Sequence, residues 1–307
     1  MIDIHHLSKR FGPKLAVDNI SFTVQPGRVT GFLGPNGAGK STTMRMIIGL
    51  DRPSSGEVLV NGRPYAAHRE PIRQVGALLD AKAMHPGRSA FHHLRAIAAT
   101  AGIGADRVRE VIRLVGLDEV ADRRARTFSL GMGQRLGIAT ALLGDPGVIM
   151  LDEPVNGLDP DGIHWIRGFL RDLAAEGRTV FVSSHLMSEM ALTADHLVIL
   201  GRGRVLGDVS MAEMIGASQP TVRVRTPQAE TFSAVVSDAG ATVETPEPGV
   251  LVIANRTSDQ IAELAFSHRI VLHELAPVQT SLEDAYLALT RHDVEYVATT
   301  HDSRRVA

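Results

Sequence analysis

A glycine-rich segment that carries a lysine and two hydroxyl groups has the residue types and spacing best suited to chemistry. Its residues, in order, are Gly34, Pro35, Asn36, Gly37, Ala38, Gly39, Lys40, Ser41 and Thr42. They match G-x-x-x-x-G-K-[ST] at every fixed position. Glycines let the backbone wrap a phosphate, so that N–H groups and the positive end of the next helix point at the anion. We expect Lys40 to reach the β- and γ-phosphates of ATP and the Ser41 hydroxyl to hold Mg²⁺.

The segments on either side of this loop have the character that the motif requires. Residues 28–33 form a short apolar run typical of a strand, and residues 43–50 predict a helix. Strand, loop and helix therefore follow in the expected order. The alternative is a glycine-rich turn that binds no ligand. The complete motif in this context favours nucleotide binding.

Two acidic residues and a histidine follow predicted buried strands further along the chain. The apolar run 148–151 leads into Asp152 and Glu153, and the run 178–184 leads into His185. The carboxyl ends of strands in a parallel sheet face the ligand. We expect Asp152 to join the Mg²⁺ shell, Glu153 to deprotonate the attacking water, and His185 to contact the γ-phosphate.

Between residues 89 and 143 the apolar residues recur at helical spacing. This predicts a helical insert between two strands of the nucleotide-binding sheet. Within it, Ser129 is a candidate N-cap and a helix is expected from Gln134 onward. A glycine-containing helix start is a second candidate anion site. The alternative interpretation is an ordinary helix cap.

The amino-terminal part is predicted to form strands at 2–11 and 15–24. Phe11 is placed to stack on an adenine base ahead of the loop, although a core position fits the sequence nearly as well. Asn61-Gly62, after a predicted strand at 57–60, is a strong signal for a hairpin turn.

The composition limits the remaining classes of function. The chain has 307 residues, 44% of them hydrophobic, a formal net charge of −2 and no cysteine. We therefore expect one large or two moderate globular domains, no disulfides and no basic footprint for nucleic acid. The 13 histidines lack the spacing of metal ligands. No signal peptide pattern or long apolar span is predicted.

Together these motifs resemble the ATP-binding subunits of ABC transporters over residues 1 to about 215. The positions that carry the resemblance are Phe11 for base stacking, 34–42 as Walker A, 129–132 as the signature, 151–153 as Walker B, 157–159 as the D-loop and His185 as the switch histidine. The family implies a homodimer in which Walker A of one subunit and the signature of the other enclose ATP. The further nucleotide-binding positions that it implies are Ser129, Gly131, Met132 and Asp159. Catalysis would then rest on Lys40, Glu153 and His185.

Two departures from the usual family pattern resemble the drug- and antibiotic-export branch typified by daunorubicin-resistance ATP-binding proteins. The signature reads Phe-Ser-Leu-Gly-Met where Leu-Ser-Gly-Gly-Gln is usual, and Asp80 stands where the Q-loop glutamine is usual. In the family the Q-loop glutamine contacts Mg²⁺ at the active site, and our hypothesis is that Asp80 joins the Mg²⁺ shell only in the closed dimer bound to its permease. The alternative is that Asp80 caps a turn.

Beyond Gly203 the sequence changes to short strands and helices. The predicted strands are 222–224, 242–245, 250–253 and 270–273, and the predicted helices are 229–237 and 259–267. Their order, β-α-β-β-α-β, predicts a small α+β ferredoxin-like accessory domain. A capping box at 280–283 predicts a last helix ending at Leu289. The expected organisation is an α/β P-loop NTPase domain at 1–215 with a helical subdomain at about 85–145, an accessory domain at 219–290 and a flexible tail at 291–307.

We expect an ATP-hydrolysing subunit that powers export of drugs or other small hydrophobic compounds through a separate integral-membrane permease. Such a subunit would lie on the cytoplasmic face of the membrane as a peripheral protein. The alternative is a soluble ABC-type ATPase with a regulatory role on ribosomes or DNA. Those proteins usually carry two cassettes or long coiled-coil arms, whereas this sequence shows one cassette and no basic patch, so no nucleic-acid partner is expected.

Overall fold

The structure is a computed structural model that describes residues 1–80, 83–216 and 221–278. The chain divides into two compact units, the first holding Met1–Met211 and the second beginning at Ala212. Each unit has its own cluster of buried apolar side chains, which is a property of separate domains.

The described strands and helices alternate along most of the chain. The strands are β1 (Ile2–Phe11), β2 (Lys14–Val24), β3 (Val29–Leu33), β4 (Ser55–Val60), β5 (Val75–Leu78), β6 (Val148–Asp152), β7 (Thr179–Ser184), β8 (His196–Gly201), β9 (Arg204–Ser210), β10 (Thr221–Arg225), β11 (Thr242–Glu247), β12 (Val250–Ala254) and β13 (Glu274–Val278). The helices are α1 (Lys40–Ile47), α2 (Pro71–Gln74), α3 (Ala90–Thr100), α4 (Ala105–Leu114), α5 (Leu130–Leu142), α6 (Pro160–Ala175), α7 (Met187–Ala191), α8 (Met211–Gly216), α9 (Ala229–Asp238) and α10 (Ser258–Ser267).

The main sheet of the first unit has the order β5-β6-β7-β3-β8-β9. Its strands are parallel except for β9, which runs antiparallel to β8. Leu33 pairs with Ser184, and Asp152 pairs with Ser183. The carboxyl ends of β3, β6 and β7 therefore meet at one edge, which is the edge where the predicted site residues begin.

A second, antiparallel sheet of order β2-β1-β4 completes the first unit. The rings of Phe22, Phe32 and Phe181 lie with centroids 5.0 to 6.0 Å apart, and all three residues belong to the buried core. The predicted Asn61-Gly62 turn is present, with φ of 50° and 76°. The predicted hairpin is reduced to a single bridge between Val60 and Arg63, because a 3₁₀ turn at Tyr65–Ala67 follows in place of a strand.

The predicted helical insert lies between β5 and β6 and contains α3, α4 and α5. The sequence predicted the starts of two helices too far along the chain. Helix α1 begins at Lys40 and not at Thr43, and α5 begins at Leu130 and not at Gln134. The first turn of α1 is built from polar residues, and the first turn of α5 alternates Leu130 and Met132 with two glycines, so neither first turn carries apolar residues at helical spacing. That first turn is where the unpaired backbone N–H groups lie.

The second unit contains an antiparallel sheet of order β11-β12-β10-β13. With α9 and α10 its connection order is β-α-β-β-α-β, as in ferredoxin-like domains. The predicted strand at 270–273 is wrong, since the strand is Glu274–Val278. Arg269 turns the chain with φ of 57°, and Ile270 fills the core. The predicted capping box at 280–283, the helix through Leu289 and the tail at 291–307 lie outside the described residues.

Candidate functional site

A cleft of about 610 Å³ opens at the sheet edge where β3 and β6 end. The predicted residues that line it are Phe11, Pro35, Asn36, Gly37, Gly39, Lys40, Ser41, Thr42, Asp80, Asp152 and Glu153. Ser129 lines a neighbouring cavity of about 510 Å³. The structure therefore brings the phosphate loop and both acids to one cleft.

Two glycines of the loop sit where a side chain does not fit. Gly39 has φ of 106°, and a Cβ atom there would lie 2.6 Å from the carbonyl oxygen of Ala16. A Cβ atom on Gly34 would lie 2.5 Å from the carbonyl oxygen of Leu200. Gly39 is also the N-cap of α1, so the loop delivers the helix amino terminus to the cleft without obstruction. This is the geometry of an anion site.

The Lys40 side chain lies over the loop. Its Nζ atom donates to the carbonyl oxygens of Gly34 at 2.5 Å and Pro35 at 3.2 Å. Burial lowers the pKa of Lys40, and the negative charges of Glu153 and Asp152 oppose that shift. A lysine held between the loop and two carboxylates can contact a phosphate without a large rearrangement.

Ser41 and Asp152 meet across the cleft. The Ser41 hydroxyl donates to Oδ2 of Asp152 at 2.6 Å. A hydroxyl and a carboxylate are the hard oxygen donors that suit Mg²⁺, which is commonly held by one or two carboxylates together with substrate phosphates. Among the described residues no group of three or more His, Asp and Glu is arranged to hold a metal by itself. The donor set therefore fits Mg²⁺ that arrives with a nucleotide.

Glu153 and His185 form the second contact at this edge. The Nδ1 atom of His185 lies 2.9 Å from each carboxylate oxygen of Glu153. Glu153 has φ of 49°, an unfavourable conformation for a residue with a side chain. Its carbonyl oxygen accepts from Nε2 of Gln134 at 3.3 Å, and its N–H donates to Oγ of Ser183 at 3.0 Å. Sequence reasoning missed both partners.

The signature residues begin α5. The Ser129 hydroxyl accepts from the N–H of Met132 at 3.2 Å, which confirms the predicted cap. A Cβ atom on Gly131 would lie 2.9 Å from the carbonyl oxygen of Gly157, so the signature packs on the D-loop turn of the same chain. Asp159 caps α6 by accepting from the N–H of Gly162 at 2.9 Å.

Two further predicted residues lie on the rim of the cleft. Phe11 is 48% exposed, so it is not a core residue, and the Lys9 ammonium lies 4.8 Å from its ring centroid. Asp80 lines this cleft and a third cavity of about 390 Å³. Its backbone carbonyl accepts from the N–H of Ala83 at 3.1 Å, a bond that does not involve the Asp80 carboxylate.

Comparison with known proteins gives the same family as the motifs. Residues 17–156 match the family model described as ABC transporter. The uncharacterized ABC transporter ATP-binding protein YhcH of Bacillus subtilis (strain 168) is 35% identical over 301 residues, which cover 97% of this chain and 98% of that protein. The chain belongs to the ABC transporter ATP-binding proteins. The Nod factor export ATP-binding protein I of Burkholderia lata is 32% identical over 315 residues, covering 96% of this chain and 98% of that protein.

The fold and the second unit also have known counterparts. A solved structure titled "Structure of ATP binding subunit of ABC transporter" superposes with a TM-score of 0.64 at 28% identity, covering 71% of this chain and 92% of that chain. The predicted α/β phosphate-loop fold of this ABC ATPase is thereby confirmed. Residues 220–283 match a domain of unknown function (DUF8746). In the part of the chain that the structure describes, no helix is both long and apolar enough to cross a membrane.

Proposed function

We propose that this ABC ATPase hydrolyses MgATP in the 610 Å³ cleft and thereby powers export through a separate integral-membrane permease. The observation that carries the proposal is a pair of contacts at adjacent strand ends. Ser41 contacts Asp152, and His185 contacts Glu153. These four groups lie beside the loop of Lys40, which supplies donors for phosphate.

Each residue has a role that follows from its position. Ser41 and Asp152 would hold Mg²⁺, which when bound supplies Lewis-acid stabilisation of phosphate charge. Lys40 would exchange its loop carbonyls for the β- and γ-phosphates. The Glu153 carboxylate accepts a proton from the attacking water. His185 fixes the direction of that carboxylate through Nδ1 and contacts the γ-phosphate. Phe11 stacks on the adenine base at the exposed rim of the cleft.

The active form is a homodimer in which α5 of one copy faces the nucleotide held by the other. Ser129, Gly131 and Met132 lie at the amino end of α5, where backbone N–H groups suit an anion. Of the signature positions 129–132, Leu130 lines the chain's own phosphate cleft, whereas Ser129, Gly131 and Met132 are not among its lining residues. Asp159 is the N-cap of α6 and lies two residues after Gly157, which packs against Gly131.

The proposal also includes a permease partner, a location at the membrane and a class of cargo. Export is supported by a relative, similar over nearly the whole chain, whose name is Nod factor export ATP-binding protein. The cargo is a drug or another small hydrophobic compound, as the variant signature and Asp80 suggest. The protein then works peripherally on the cytoplasmic face of the membrane, with residues 1–215 as the motor and 219–290 as an accessory domain.

The hydrolysis step is tested with two variants and one control. Lys40→Ala should weaken MgATP binding, whereas Glu153→Gln should keep binding, lose phosphate release and accumulate an ATP-bound dimer on gel filtration. Glu176→Gln removes a carboxylate that pairs with Arg178 outside the cleft and should behave as the parent. Near-normal turnover of Glu153→Gln would remove Glu153 as the base.

The dimer is tested by mixing two inactive chains. Ser129→Arg should abolish hydrolysis without weakening nucleotide binding to the monomer. A mixture with Lys40→Ala chains permits at most one intact site, built from Walker A of the first chain and the signature of the second. Partial recovery of hydrolysis supports action in trans, and loss of monomer binding by Ser129→Arg contradicts the geometry.

The permease is tested by co-expression with the membrane protein encoded next to this chain. A neighbouring protein with about six apolar helices, co-purification and stimulated ATP hydrolysis in vesicles would support the exporter. A chain that hydrolyses ATP without any such partner would favour the alternative, a regulatory ABC-type ATPase.

A further inference from the structure

A buried hydroxyl contacts both acidic positions of the active site. Ser183 lies on β7, fully shielded from solvent and in register with Asp152 of β6. Its Oγ atom donates to Oδ1 of Asp152 and accepts from the N–H of Glu153 at 3.0 Å. A single serine therefore bonds the side chain of one acid and the backbone of the next.

The bond to Asp152 controls the orientation of the Asp152 carboxylate. Ser183 donates to Oδ1, while Ser41 donates to Oδ2 at 2.6 Å. Hydrogen bonds to a carboxylate are about twice as strong as those between neutral groups. Rotation of the carboxylate would break both hydrogen bonds. The two bonds together therefore keep Oδ2 of Asp152 directed toward Ser41 and the phosphate loop.

The bond to Glu153 opposes a backbone strain. A φ of 49° places Glu153 in the left-handed region, which is an unfavourable conformation for a residue other than glycine. Ser183 satisfies its N–H, and Gln134 donates to its carbonyl oxygen. With both backbone groups held, the side chain is directed at Nδ1 of His185.

We propose that Ser183 is a positioning residue for ATP hydrolysis, whose hydroxyl sets the direction of the metal-binding Asp152 and the backbone of the base Glu153 together. The inference rests on the proposed function of this cleft. Ser183 is fully buried and is not among the residues that line the cleft, so it acts through its two neighbours. Residues that orient a metal ligand typically change metal affinity or activity about 10- to 100-fold when they are removed.

The chain offers a matched control for the loss of a buried hydroxyl. Thr30 lies on β3, next to β7, and is fully buried. Its hydroxyl has no hydrogen-bond partner within the described residues. Thr30→Val therefore removes a buried hydroxyl from the same sheet without breaking a bond, and it should bind and hydrolyse ATP as the parent does.

The experiment compares Ser183→Ala and Ser183→Thr with Thr30→Val in the full-length chain. A fluorescent ATP analogue is titrated in EDTA and at increasing Mg²⁺, and kcat and KM are measured by phosphate release. We expect Ser183→Ala to bind the analogue normally in EDTA, to need about 10-fold more Mg²⁺ for tight binding, and to lose kcat about 10- to 100-fold. Ser183→Thr, which keeps a hydroxyl, should recover both properties.

Two results would overturn the role of Ser183. One is a Ser183→Ala chain with the Mg²⁺ requirement and kcat of Thr30→Val. The other is a Ser183→Ala chain that binds the ATP analogue equally weakly in EDTA and in Mg²⁺, which indicates a general packing defect. If Ser183→Ala does not fold, Ser183→Cys, close in size but a weak hydrogen-bond donor, is measured against the same criteria. Because the Mg²⁺ requirement for binding needs no turnover, it decides the role of Ser183 even if the parent hydrolyses nothing and the proposed function fails.

Discussion

The Nδ1 atom of His185 lies 2.9 Å from both carboxylate oxygens of Glu153. The two residues follow different strands, β7 and β6, which are parallel neighbours. The contact therefore depends on the sheet rather than on a flexible loop. A carboxylate held in this way presents a fixed edge to a water molecule, which favours proton abstraction in one direction.

His185→Ala should reduce the rate of ATP hydrolysis about 100-fold or more, since the contribution of a positioned acid–base group is typically 10²–10⁴. Nucleotide affinity should stay within a factor of about three, because Lys40 and the loop are unchanged. Steady-state phosphate release and a binding titration measure the two effects. His164→Ala, an exposed histidine on α6, is the control. Equal rates for the two variants would show that the contact does not serve hydrolysis.

Asp80→Asn keeps the size of the side chain and removes its charge. If Asp80 joins the Mg²⁺ shell in the permease-bound dimer, this change should leave folding and ATP binding intact and reduce hydrolysis stimulated by the permease. Asp122→Asn, at an exposed position of the helical insert, provides the comparison. Identical basal and stimulated rates for Asp80→Asn and the parent would establish that Asp80 only stabilises its turn.

Gly39→Ala should both destabilise the first unit and weaken ATP binding. The added Cβ meets the carbonyl oxygen of Ala16 at 2.6 Å, and φ is 106°, so we expect a loss of about 1–3 kcal/mol in the free energy of unfolding. Urea titrations and nucleotide binding measure the two losses.

The matched control for this change is Gly168→Ala. Gly168 lies within α6, where a Cβ atom would meet nothing within 4 Å. Alanine there should stabilise the helix by about 0.5–1 kcal/mol. A Gly39→Ala chain as stable as the parent would mean that the loop adapts to a side chain.

Features encoded within a few residues were predictable from the sequence. The Lys40 loop, the acids at the end of β6 and the Ser129 cap each depend on a short local pattern. Ser183 depends on a hydrogen bond to Asp152, 31 positions away, which is set by the parallel register of β6 and β7. No local periodicity encodes that register, although a serine two residues before the predicted His185 was a signal that could have been followed.

The errors in the predicted positions of two elements also have physical causes. Glycines in the first turn of α5 interrupt the apolar periodicity, so the pattern does not show where the helix begins. In the second unit, Pro277 lies within β13, which is an edge strand, where proline is tolerated. The apolar residues just before β13 led to the predicted strand at 270–273. Ile270 instead packs in the core directly after the turn at Arg269.

The stability of the first unit should fall as the pH decreases, in part because of His93. Burial lowers the pKa of His93 below its ordinary value of 6.5, and the nearby charges of Arg88 and His85 act in the same direction. The folded state therefore keeps His93 neutral at a pH where the unfolded chain takes up a proton. The stability that this adds is complete above pH 6.5 and is lost as the pH falls from there toward the folded-state pKa, at about 1.4 kcal/mol per unit of pKa difference.

His93→Gln removes this titrating group from its buried position on α3. The urea midpoint of His93→Gln should change less between pH 7.5 and pH 5.5 than that of the parent, even if the variant is less stable at pH 7.5. His164→Gln, at the exposed position on α6, should retain the pH dependence of the parent. A parallel pH dependence for His93→Gln and His164→Gln would show that the uptake of protons on unfolding in this range belongs to groups other than His93.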